Sequence, residues 1–151
     1  MTIERVTKLR SFRNEYQKAS LNVLFSANWI EDRMKAVLEP ENITLQQYNI
    51  LRILQHAGKP LSTLQIRQRM LDKMSDTSRI VDRLLKKELV EKKTSEEDKR
   101  LVDITITEKG MILLTSLDEK IDEIDNILNK ITSEEARLLN RLLDKMRGCF
   151  E

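Results

Sequence analysis

Apolar residues recur along the chain with the periods of helices, interrupted once by the alternation of strands. Tyr16, Val23, Ala27, Ile30, Met34 and Val37 follow spacings of three, four and seven, which predicts a long helix from about Leu9 to Leu38. Leu21, Leu24, Phe25 and Trp29 lie off that stripe. A helix apolar on more than one side is buried on more than one side, and in a chain this small a partner subunit supplies the second surface. After Pro40, Thr44 and Gln47 have capping-box spacing and open a helix that Gly58 and Pro60 stop. Ser62 and Gln65 repeat the signature before a short helix, with Leu64 and Met70 or Leu71 expected inward. In "DKMSDTSRIVDRLLKKE", Thr77, Ile80, Val81 and Leu84 form an inward stripe, opposite Ser75, Arg79, Asp82 and Lys86. Its N-cap is expected at Asp72 or Ser75.

"LVEKKTS" and "LVDITIT" then read as two strands of a hairpin, because Val102, Ile104 and Ile106 alternate with Asp103 and Thr105. Thr107 is expected to cap a long helix reaching Ile131. Along it Leu114, Leu117, Ile121, Ile124, Leu128 and Ile131 form a short coiled-coil-like seam. A third capping box, Thr132 and Glu135, opens a last helix with Leu139, Leu142, Leu143 and Met146 inward.

Two short helices, a longer one and a hairpin are the order of a winged helix-turn-helix. The expected fold is mainly α with a small β-hairpin wing, flanked by N- and C-terminal dimerisation helices. In such a fold the third helix enters a major groove and the hairpin tip reaches the adjacent backbone or minor groove. The groove candidates are Ser75, Asp76, Ser78, Arg79 and Arg83, with Ser78 the most lateral. The alternative for the same face is a solvated helix surface on which Asp82 pairs with Lys86 and Arg79.

Charge and composition sharpen this picture. Hydrophobic residues make up 40% of the 151 positions and charged residues 34%, with only 3 glycines and 2 prolines, which favours a soluble helical domain. The net charge of +2 is unevenly spread. Residues 59–100 carry 12 basic and 8 acidic side chains, whereas residues 101–151 carry 7 and 11. The middle of the chain therefore favours a polyanion. No apolar run approaches the roughly 20 residues of a membrane span, and the start of the chain lacks the apolar core of a signal peptide. The one cysteine, Cys149, excludes an internal disulfide framework and fits a reducing cytoplasm. The one histidine, His56, has no partners for a zinc site. With no glycine-rich phosphate loop and no nucleophile–base pair, neither an enzyme, a metal site nor a cofactor is expected.

"DKRLVDITITEKG" resembles the wing signature of the multiple-antibiotic-resistance regulator (MarR) family, at Asp98, Arg100, Ile106, Thr107 and Gly110, with Ile106 where the family has Leu. "SRIVDRL" is similar to the family's recognition-helix core, and the helix order matches from about residue 10 to 150. The resemblance implies a homodimeric transcriptional regulator, expected to be a repressor, on a pseudo-palindromic operator of double-stranded DNA. It implies a dimerisation region at 1–40 and 111–151 around a DNA-binding domain at 41–110. It also implies Lys99 and Arg100 as wing cations, Arg100 in the minor groove with Asp98 orienting it, and often a small-molecule effector. Phe25, Trp29, Tyr48 and Met34 are candidates either for a pocket between the first helices or for core and dimer interface, the commoner role at this spacing, so no effector pocket is assigned. Two departures stand out. Glu88 occupies the helix end where relatives commonly carry Gly, and the N-terminal cysteine of peroxide-sensing members is missing. A winged-helix protein-interaction module is the competing function, and it differs in lacking salt-dependent DNA binding.

Overall fold

The computed structural model describes residues 2–8, 11–94, 102–120 and 125–148. A short α1 (Ile3–Thr7) precedes a long α2 (Glu15–Leu38), and a 3₁₀ turn at Glu39–Glu41 leads into α3 (Leu45–Ala57). Strand β1 (Leu61–Ser62), α4 (Thr63–Arg69), α5 (Thr77–Lys86), β2 (Val90–Thr94) and β3 (Val102–Ile106) follow, then α6 (Glu108–Asp118). After a 3₁₀ turn at Asn126–Leu128 comes the last helix, α7 (Ser133–Met146). The sheet is antiparallel in the order β1-β3-β2, with Lys92 opposite Ile104 and Leu61 opposite Ile104 from the other side.

Helix starts are set by local hydrogen bonds. Thr44 Oγ1 accepts the Gln47 N–H at 3.2 Å while Gln47 Oε1 accepts the Thr44 N–H at 3.1 Å, and the Ser62–Gln65 and Thr132–Glu135 pairs repeat this reciprocity. All three capping boxes lie where their spacing places them. The long first helix starts later than the apolar pattern suggests. Asn14 Oδ1 accepts the Gln17 N–H at 2.9 Å, and this cap fixes the start at Glu15.

The core gathers Leu38, Ile50, Leu51, Leu54, Leu61, Ile66 and Met70 with Val81, Leu84, Ile104, Leu114 and Leu117. Met70 is buried as expected, but Leu64 and Leu71 are exposed and Ile66 takes the inward position. Ile66 and Met70 are four apart, so the face of α4 that meets the core is the one they share. The predicted helix to Ile131 also divides. It closes at Asp118, where the Glu119 and Lys120 N–H groups fold back onto Leu117 and Thr115 carbonyls. Leu114 and Leu117 therefore belong to the winged core rather than to a seam, and Leu128 is exposed. Ile121 and Ile124 lie outside the described residues.

The junction between α5 and the wing is closed by a Schellman motif. Leu89 N–H donates to Leu84 O (3.1 Å) and Glu88 N–H to Leu85 O (2.9 Å), with Glu88 left-handed at φ +60°. Glu88 thus adopts the conformation that favours glycine. Its side chain is exposed and, among the described residues, meets only Lys109 Nζ at 3.1 Å, so little is lost by removing it. Glu88→Gly is expected to stabilise the fold by about 1 kcal/mol, read as a higher urea midpoint with an unchanged slope.

Gly110, in the first turn of α6, has a packing reason. A Cβ there would stand 2.3 Å from Leu89 O and 2.7 Å from Ile106 Cγ1. Leu89 O already accepts the Thr107 N–H at 3.1 Å, while Thr107 Oγ1 donates to Glu88 O at 2.8 Å and accepts the Gly110 N–H at 3.1 Å. The Thr107–Gly110 pair seats α6 directly on the end of α5, and so fixes the base of the wing.

Candidate nucleic-acid interface

Helix α5 is strongly two-sided. Thr77, Val81 and Leu84 are buried and Ile80 is half-buried, while Ser78, Arg79, Asp82, Arg83 and Lys86 are exposed. The Thr77 hydroxyl is buried without a hydrogen-bond partner among the described residues. The helix start is more constrained than its sequence suggests. Asp76, not Asp72 or Ser75, is the N-cap: its Oδ1 accepts the Arg79 N–H at 3.2 Å, and its Oδ2 lies 3.7 Å from Arg79 Nε. Asp76 is therefore placed to aim Arg79 as well as to start the helix.

Asp72 organises the preceding loop. It accepts the Ser75 hydroxyl at 2.7 Å and the Met74 N–H at 2.9 Å, and these bonds, the hydroxyl first, hold its carboxyl below the usual carboxylate range. Ser75 is half-buried with its hydroxyl committed to Asp72, so it faces a groove less freely than Arg79, whose side chain is 81% exposed. Arg83 and Lys86 have no acceptor among the described residues. The wing-tip candidates Asp98, Lys99 and Arg100 lie outside the described residues.

Two links escaped the sequence. Asp82 pairs with Lys92 of β2 at 3.8 Å rather than with Lys86 or Arg79, tying the recognition face to the wing. Strand alternation puts Lys92 on the side of its partner Ile104, which faces the core under α5, and this register is the feature that would have found it. Arg52 of α3 forms an ion pair with Asp118 at the end of α6, and donates to Tyr48 Oη and Gln55 Oε1, each at 2.9 Å. The Asp118 carboxylate, more than any other neighbour, pushes the Arg52 guanidinium's pKa up. No group of three or more ligating side chains among the described residues could hold a metal ion, and no described helix is long and apolar enough to cross a membrane.

The sequence pattern of the MarR family matches residues 41–101, from the capped start of α3 to the wing. Two transcriptional regulators of Bacillus subtilis (strain 168) match over most of the chain. The HTH-type regulator YhbI is 30% identical over 125 residues, covering 78% of this chain and 79% of the relative. The chain belongs to the MarR family. It is a DNA-binding transcription regulator and not an enzyme. The other relative, the regulator MhqR, is 29% identical over 119 residues, 78% of this chain and 81% of its own. The winged-helix fold is shared with solved MarR structures. A mutant Escherichia coli MarR complexed with operator DNA superimposes with a TM-score of 0.80 at 21% identity, over 90% of this chain and 98% of that one.

Proposed function

We propose that this chain is a cytoplasmic, homodimeric, sequence-specific repressor that places α5 in the major groove of a pseudo-palindromic operator and is relieved by a small molecule. The observation that carries this reading is the outer face of α5. There Arg79 and Lys86 stand opposite the buried stripe with Arg83 on the flank, and the carboxylates beside them are committed to the helix cap and to Lys92. Arg79 is the base-reading side chain in this proposal, Ser78 lies at its flank, and Asp76 and Ser75 order the start of the helix. Lys99 and Arg100 are the wing cations, with Asp98 orienting Arg100 toward the minor groove.

Dimerisation is supported by apolar side chains left exposed on the outer helices. Tyr16, Leu24 and Phe25 of α2 and Leu138, Leu139, Leu142 and Met146 of α7 are left between 36% and 84% exposed within one chain, and exposed apolar patches of this kind mark association surfaces. The proposed division keeps 1–40 as dimerisation region. Because Leu114 and Leu117 pack in the winged core, the DNA-binding domain runs past residue 110 to Asp118. Effector relief is supported by a cavity of about 530 Å³ between α2, α3 and the loop before α5, lined by Ile30, Met34, Tyr48, Met70 and Leu71 among others. The solved relative bound to 2,4-dichlorophenol, an organohalide sensor, gives a precedent within the fold.

Footprinting on DNA enriched by the purified protein tests the dimeric reading. Two protected half-sites about 10–10.5 bp apart, centre to centre, are expected; a single unpaired half-site would refute it. The competing interaction module predicts no footprint at all.

A further inference from the structure

Beside the outer face of α5 lies an open cleft of about 600 Å³. Lys35 and Glu39 from the end of α2 form one wall, residues 42–47 form the floor, and Arg83, Lys86 and Lys87 form the other wall. Four cations face one acid. Their charges are not equally available. Lys87 is committed inside the protein, where its Nζ donates to Asn42 O and, at 3.3 Å, to Gln47 Oε1. Lys35 shares its charge with Glu31 at 3.4 Å and Asp32 at 3.8 Å on its own helix. Arg83 and Lys86 have no acceptor among the described residues, and neither does the side chain of Gln46 on the cleft floor.

Arg83 is also turned away from the centre of the recognition face. It precedes the buried Leu84 by one position, about 100° around the helix, whereas Arg79 and Lys86 stand nearly opposite the buried stripe. Arg83 borders both this cleft and a smaller one of about 340 Å³, which it shares with Gln46, Asp76 and Arg79. A helix roughly 10–12 Å across fills a major groove about 12 Å wide. Near its N-terminal end the outermost side chains, Arg79 among them, then meet base edges, while its flanks and its far end, where Lys86 lies, meet the phosphate ridge.

We propose that this cleft is a phosphate clamp. Arg83 and Lys86, with Lys35 and Gln46 behind them, grip the phosphodiester backbone that borders the groove entered by α5. Arg83 thereby supplies affinity, while sequence preference stays with Arg79. The clamp rests on the reading of the chain as an operator-binding regulator. It extends the contact surface from α5 to the α2–α3 connection and makes Arg83, one of the groove candidates, a backbone contact.

The test uses the full chain, a duplex enriched in vitro by the wild-type protein, and a set of single base-pair variants of that duplex. Arg83→Ala, which removes one contact from each half of the dimer, is expected to weaken binding at least about tenfold on every duplex alike and to lower the salt slope by about 2. Lys86→Ala should act in the same direction. Arg83→Lys, which keeps the charge but loses the planar fork, should recover most of the affinity. Equal melting temperatures exclude unfolding, since Arg83 is exposed. A loss confined to one base-pair position, or one that lysine fails to rescue, would make Arg83 a base reader and overturn the clamp. So would an unchanged slope. Inorganic phosphate at constant ionic strength should not compete; competition at low millimolar levels would assign the cleft to a free anion instead. A wild type without salt-dependent DNA binding overturns the regulatory reading itself, and the clamp with it.

Discussion

Gly110→Ala is expected to lower stability by about 2 kcal/mol, even after crediting alanine's advantage of about 1 kcal/mol in a helix. The cost is large because the added methyl group meets backbone. Leu89 O is 2.3 Å from the Cβ position, and that carbonyl already holds the Thr107 N–H. Relief requires α6 to lift from the end of α5, which also loosens Thr107 from Glu88 O and tilts the base of β3. Gly58 provides the control. It is left-handed at φ +60° but a Cβ there meets nothing within 4 Å, so Gly58→Ala should cost only the backbone strain, about 1 kcal/mol. Urea melts of both variants check this, and equal midpoints for the Gly110 variant and wild type would contradict the seating of α6.

Arg79→Ala is expected to lower operator affinity by about 1–3 kcal/mol, roughly 5- to 150-fold, for each half-site engaged, and to flatten the preference at one base-pair position of each half-site. Asp76 explains why the effect should be concentrated there. An arginine on a free surface spreads over many rotamers, whereas the carboxylate of Asp76 stands beside Arg79 Nε and narrows its direction. Binding measured across the duplex variants separates this result from a uniform loss, which would leave Arg79 as a backbone contact.

Much of this architecture is written locally and was legible. The three capping boxes, the stripe of Thr77, Val81 and Leu84, and the alternation around Ile104 all depend on neighbours within a few residues. Features set by distant partners were not legible. Strand β1 is two residues long and exists only because β3 passes beside it. Leu114 and Leu117 keep a helical period that continues past Asp118, so periodicity alone assigned them to a seam, while the winged core claimed them. The Arg52–Asp118 bridge spans 66 positions and leaves no local pattern. The candidate site divides in the same way. Arg79 was visible as a cation opposite a buried stripe and Arg83 as one beside it, but the capping role of Asp76, the Asp82–Lys92 pair and the cleft beside Lys35 required the packing of α5 against α3 and β2.

The most direct measurement is the affinity of the wild-type protein for its enriched duplex and for random duplex between about 50 and 200 mM salt. A dimer gripping DNA through α5 and the wing on both half-sites should lose about 10³-fold or more in affinity over that range, and should hold the enriched duplex about 10³-fold or more tighter than random sequence. Affinity that stays flat with salt, or that is equal for the two duplexes, would contradict a sequence-specific DNA-binding function for this chain.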